Sequence, residues 1–159
     1  MEIREATGRE DIAIVCELLR EYERALDVDL CFQGFAQELA GLPGDYAPPR
    51  GALLLARDGA AVAGCIALRP VDAHDCEMKR LYVRDEFRAT GLGRRLVERV
   101  IATAQAIGYR RMVLDTLPSM VSAQRLYASF GFADIASYRH NPIAGTRFLG
   151  LELGAPNVP

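Results

Sequence analysis

The sequence predicts one α/β (α+β) domain over residues 1 to 153, with about seven strands and about four helices, followed by a tail at 154 to 159. Three observations support this. Half of the 159 residues are apolar, enough to bury one full core. Short β-favouring runs alternate with stretches whose apolar residues recur at helical spacing. Near the middle, a strand over Cys76 to Val83 runs through Arg88-x-x-Gly91-x-Gly93 into a helix with apolar positions at Leu92, Leu96, Val97, Val100, Ile101 and Ala104.

In chain order, Glu2 to Ala6 reads as a first strand and Asp11 to Leu26 as a helix with one apolar face formed by Ile12, Val15, Leu18, Leu19, Tyr22 and Leu26. A second helical pattern, Phe32, Phe35, Leu39 and Leu42, stops at Pro43-Gly44, and a loop follows. Gly51 to Arg57 and Ala61 to Arg69 form a hairpin about Asp58-Gly59, a dipeptide suited to a tight turn. After the central strand and helix, Arg110 to Thr116 reads as a strand covered on both faces, because Met112, Val113 and Leu114 are consecutive. The next helix carries Ala123, Leu126, Tyr127 and Phe130 and closes at Gly131. Ala133 to Tyr138 and Arg147 to Leu153 complete the strands. The order is β, α, α, β, β, β, α, β, α, β, β.

The central loop can hold a phosphate. Its glycines let the backbone turn its amides outward, and the first amides of a helix lack intrahelical partners at the positive end of the dipole. Arg88, Arg94 and Arg95 add guanidinium donors. A Walker loop is absent, and a dinucleotide fingerprint would need glycine where Leu96 stands. A plain glycine-rich turn opening a surface helix stays open as the second reading.

The loop resembles the Arg/Gln-x-x-Gly-x-Gly/Ala signature of the GNAT superfamily of N-acetyltransferases. Ala123-x-x-Leu126-Tyr127-x-x-x-Gly131-Phe132 is similar to that family's later motif, and the element order is the family's own. The resemblance covers about Ile3 to Leu153. It implies the GNAT fold, a mixed central sheet whose fourth and fifth strands splay around the pantetheine arm, and acetyl-CoA as cosubstrate. Arg88, Ala89, Thr90, Gly91, Leu92, Gly93 and Arg94 would then hold the pyrophosphate, and the main chain of Leu81, Tyr82 and Val83 the pantetheine. Many relatives carry asparagine where this chain has Met120.

Acyl transfer from a thioester to an amine needs an oxyanion donor, an acid and a base. The resemblance implies the Leu81 amide, on a bulged fourth strand, for the thioester oxygen; the alternative is a continuous strand with paired amides. It implies Tyr127 as the acid, set against a plain core tyrosine on an apolar stripe. It implies Glu77 as a base acting through water, set against an ion pair, with Lys79 as the suggested partner. Phe32, Phe35 and Tyr46 would line the acceptor pocket or belong to local core. The reaction expected is direct acetyl transfer in a ternary complex, without metal, to a small-molecule amine. The alternatives are a protein acceptor, a longer acyl donor, or a non-catalytic module that binds acyl-CoA.

Other classes are disfavoured. A net charge of −2 argues against a nucleic-acid binder. No apolar run reaches membrane-spanning length, and Met1-Glu2-Ile3-Arg4 opens without a signal-peptide stretch, so a cytoplasmic location is expected. Cys16, Cys31, Cys65 and Cys76 lack zinc or disulfide spacing and are expected to be reduced. His74 and His140 suggest no metal or hydrolase site. Family members are often homodimers. Residues 1 to 50 hold eleven acids against five arginines, whereas residues 76 to 111 hold nine bases against four acids. The acidic first segment suggests a cationic acceptor; an ordinary solvated helix face is the other explanation.

Overall fold

A computed structural model describes residues 1–26, 30 and 34–154. Phe32 and Cys31 lie outside the described residues. The chain runs β1 (Glu2–Glu5), α1 (Gly8–Leu26), α2 (Phe35–Ala40), β2 (Ala52–Asp58), β3 (Ala61–Pro70), β4 (Asp75–Val83), α3 (Leu92–Ile107), β5 (Arg111–Thr116), α4 (Val121–Ser129), β6 (Ala133–Asp134) and β7 (Arg147–Glu152), with short 3-10 turns at Gly44–Tyr46 and Asp85–Phe87. The seven strands form one sheet in the order β1-β2-β3-β4-β5-β7-β6. Every neighbouring pair is antiparallel except β4 and β5, which are parallel.

Alternation along each strand divides the interior into two cores. On one face α3 buries Leu92, Leu96, Val97 and Val100 against Ile66, Leu68, Met78 and Met112. On the other, Val15, Leu18 and Leu19 of α1 and Phe35 of α2 cover Leu53, Leu55, Cys65 and Ala67. Among the described residues, no helix is long and apolar enough to cross a membrane.

Most boundaries agree with the sequence reading to within one or two residues. Helix α1 begins earlier, at Gly8, because the Asp11 carboxylate accepts the Thr7 amide at 2.9 Å and stabilises the turn before it. Strand β6 stops at Asp134 instead of running to Tyr138. Beyond it the chain leaves the ladder, and Tyr138 and Arg139 turn inward to hydrogen-bond Glu77.

Two irregularities of β4 create the site. Its pairing with β5 covers only Asp75↔Arg111, Cys76↔Met112 and Glu77↔Val113, after which the strands splay, as the resemblance implied. On its other edge, Ala67 faces Lys79 while Cys65 faces Tyr82, so Ile66 is opposed by both Arg80 and Leu81. This is a β-bulge, and Arg80 sits in it at φ 63, a left-handed conformation uncommon for a non-glycine residue. The extra residue breaks the alternation. Lys79 and Arg80 are consecutive, yet Arg80 joins Lys79 in facing α1 and α2, and Leu81 turns back toward α3.

Candidate active site

A groove of about 450 Å³ lies where β4 and β5 part. Leu81, Tyr82 and Val83 form one wall, Met120 to Ala123 and Leu126 the other, and Arg88 and Gly93 its outer end. Helix α3 opens at Gly91, whose φ is 85, with no side-chain cap, so its first amides remain for a ligand. Ala89 is also left-handed at φ 60, and such alternation curls backbone amides into a concave anion site. Thr90 steadies the turn through a hydroxyl bond to the Phe87 carbonyl. Gly93 lies beside Leu126, where a Cβ would make an ordinary contact at 3.6 Å.

The expected loop arginines are already engaged. Arg88 donates from Nε to the Val83 carbonyl at 3.0 Å and pairs with Asp85 at 2.9 Å, which fixes its guanidinium at the mouth of the groove and occupies the Val83 oxygen. Arg94 bonds the Ser129 hydroxyl at 2.7 Å and lies over the Phe130 ring, 4.8 Å from its centroid. It therefore ties α3 to α4.

Inward, the groove meets a small chamber with room for about one water, 30 Å³, lined by Lys79, Arg80, Leu81, Asp115 and Tyr127 together with Tyr22 and Met120. Tyr127 is buried, its ring edge-on to Phe132 at 5.8 Å between centroids. Burial pushes its phenol well up, with Tyr22 and Asp115 acting the same way, so it keeps its proton at neutral pH. Met120 lines both groove and chamber, at the position where many relatives have asparagine.

Glu77 occupies a different environment from the one a base needs. It is 0% exposed and borders neither space. Its Oε1 accepts from Arg69 Nε at 2.8 Å and Arg139 Nη2 at 2.6 Å, and its Oε2 from the Tyr138 hydroxyl at 2.6 Å. Burial alone would raise its pKa, but Lys79, Arg69, Tyr138 and Arg139 outweigh this and hold the carboxyl below its usual range. The expectation of a water-coupled base thus meets an ion-pair centre in which Arg69, Arg139 and Tyr138 hydrogen-bond the carboxylate and the nearby Lys79 charge also lowers its pKa.

Lys79 was not among the site residues expected from the sequence. It is the only lysine in the chain, and it is buried. Burial pushes its ammonium down to about 7; Arg80 and Arg69 deepen the shift, while Glu77 and Asp115 oppose it. Arg80 is held by Glu38 of α2 through two parallel bonds of 2.9 and 3.0 Å and lies over the Phe35 ring at 5.0 Å. Phe35 therefore belongs to the core. Tyr46, also buried, borders a separate cavity of about 300 Å³ together with Glu38, Asp45 and Arg69. Of the other acids in the first fifty residues, Asp11 pairs with Arg4 and Glu21 with Arg84.

The model of the acetyltransferase (GNAT) family matches residues 13–132. An uncharacterised N-acetyltransferase of Schizosaccharomyces pombe is 45% identical over 138 residues, 86% of this chain and 85% of its own length. An acetyltransferase structure from Streptococcus agalactiae superposes with a TM-score of 0.80 at 23% identity, covering 95% of this chain and 97% of that one. A GNAT-family acetyltransferase of Elizabethkingia anophelis, solved with acetyl-CoA bound, aligns at 26% identity and a TM-score of 0.56 over 64% of this chain and 76% of its own.

Proposed function

The chain belongs to the GNAT acetyltransferase family and is an acetyl-CoA-dependent N-acetyltransferase, and on that premise we propose that it acetylates the primary amine of a small molecule by direct transfer in a ternary complex. One observation carries the reading. The groove leads from an uncapped helix N-terminus to a small chamber lined by both Leu81 and Tyr127. The residues fit the cosubstrate: free amides at Gly91 to Gly93 for a pyrophosphate, and a slot between parted strands for a pantetheine arm. When bound, acetyl-CoA supplies the activated acyl group.

The chain's own groups then divide the work. The bulge at Arg80 and Leu81 leaves ladder groups of β4 without strand partners, and the Leu81 amide is the proposed donor to the thioester oxygen. Tyr127 holds its proton at Oη until the leaving sulfur needs it. The excess of acids in the first fifty residues supports an acceptor with additional positive charge, although Arg80, Arg4 and Arg84 pair with Glu38, Asp11 and Glu21.

Mixing the protein with acetyl-CoA and a panel of amines, and following free coenzyme A thiol, tests the proposal. Turnover that depends on a small amine supports it. Coenzyme binding without release to any amine would favour a binding module, and label appearing only on added proteins a protein acetyltransferase. For a steered cation, kcat/KM should fall as salt rises.

A further inference from the structure

We infer that Lys79 is the general base that takes the proton from the acceptor's ammonium group. The inference rests on the acetyl-transfer reading and assigns the base to a residue that lines the chamber, whereas Glu77 lines neither space and its carboxylate accepts from Arg69, Arg139 and Tyr138.

Lys79 lines the same small chamber as Leu81 and Tyr127, which brings the base, the oxyanion donor and the acid to the inner end of the groove. The eighteen arginines keep their guanidinium groups protonated at any working pH and cannot cycle a proton, and the two histidines, His74 and His140, line neither the groove nor the chamber. A buried lysine can. Among the described residues, the groups around it include Arg69 from β3, Glu77 and Arg80 from its own strand, Asp115 from β5, Glu38 from α2, and Tyr22 and Tyr127 from α1 and α4. Burial and the two guanidinium groups outweigh the carboxylates, and the ammonium titrates near 7, close to the best value for a base working at neutral pH.

The bulge is what aims this apparatus. By turning Arg80 onto the face of Lys79, it sets a guanidinium beside the amine, which disfavours a second positive charge and keeps the lysine basic form populated. The proton count closes. As the C–N bond forms and the C–S bond breaks, the acceptor nitrogen gives up two protons. One goes to Lys79 Nζ and is released to water on turnover; Tyr127 gives its own proton to the departing sulfur, and the acceptor's second proton restores the phenol.

Lys79→Arg retains the charge but cannot titrate, and Lys79→Met retains the stem without the charge. Both are expected to lower kcat/KM at pH 7 by about a hundredfold and to abolish the acid limb of the pH profile, while acetyl-CoA affinity changes little. Since the chain has one lysine, labelling with ¹³C-lysine gives a single Cε resonance, whose midpoint should fall near 7 in the folded wild type; a midpoint at the ordinary value of about 10 overturns the inference. So does an acid limb that survives in Lys79→Met or vanishes instead in Asp115→Asn. A wild type that binds acetyl-CoA yet acetylates no amine overturns the acetyl-transfer reading and this one with it, whereas an active wild type indifferent to Lys79 overturns only this one.

Discussion

Gly64 of β3 lies directly against the main chain of Tyr82, so closely that a Cβ at position 64 would overlap the Tyr82 carbonyl oxygen. The contact falls just past the bulge, where Gly64 pairs with Val83. Gly64→Ala should push the end of β4 away from β3 and toward the groove. A stability loss of about 1–3 kcal/mol is expected, with weaker acetyl-CoA binding by calorimetry. A variant as stable as wild type and with unchanged affinity would show that the close approach is dispensable.

Gly91→Asp tests the loop. The space around Gly91 is open, and the strain lies only in its positive φ, which aspartate tolerates better than most residues. The fold should survive, with a cost of about 1 kcal/mol. The new carboxylate would take the first amides of α3 for itself and repel a pyrophosphate, so acetyl-CoA affinity should fall by about a hundredfold or more. Undiminished binding would remove the loop from the coenzyme site.

Tyr127→Phe removes a hydroxyl without disturbing the edge-on contact with Phe132. Stability should be nearly unchanged. If the phenol lends a proton, kcat should drop by about a hundredfold at constant acetyl-CoA affinity. Unaltered turnover returns Tyr127 to a purely packing role.

Glu77→Gln should act chiefly on stability, because it leaves two guanidinium groups around a neutral amide. A loss of about 3 kcal/mol is expected in denaturant titration. The pH dependence follows from the lowered folded pKa of Glu77. Its contribution is complete above the unfolded value of about 4.3 and disappears as pH falls through the lower folded value. Wild type should therefore weaken below about pH 4, with the Gln variant lacking that component. Equal stability of the two at pH 7 would contradict the ion-pair account.

What could be read from the sequence was local. The strand, glycine turn and helix from Cys76 to Ala104 were legible because apolar spacing and glycine placement are properties of neighbouring residues. Tyr127 was found through its motif. The environment of Glu77 was not legible, since Arg139 and Tyr138 reach it from 62 and 61 positions away across a loop that reads as a strand. Lys79 was read only as a partner for Glu77, and Arg80 was missed for a geometric reason: strict alternation puts consecutive strand residues on opposite faces, and the left-handed Arg80 overturns that rule here. A lone lysine among eighteen arginines was the available signal, and it is compositional, with no address in the fold.

The three residue pairs that join β4 to β5 leave the sheet fastened along a short seam, with β1 to β4 on one side and β5 to β7 on the other. A molecule lodged in the groove touches both sides and finds no equivalent in the unfolded chain. Occupancy therefore acts as a clasp: at a hundred times its Kd, such a ligand adds about 2.7 kcal/mol to the folding free energy. The melting temperature of this protein should climb with the supply of its cosubstrate, and in a starved cell the emptied form would be the one that proteases meet.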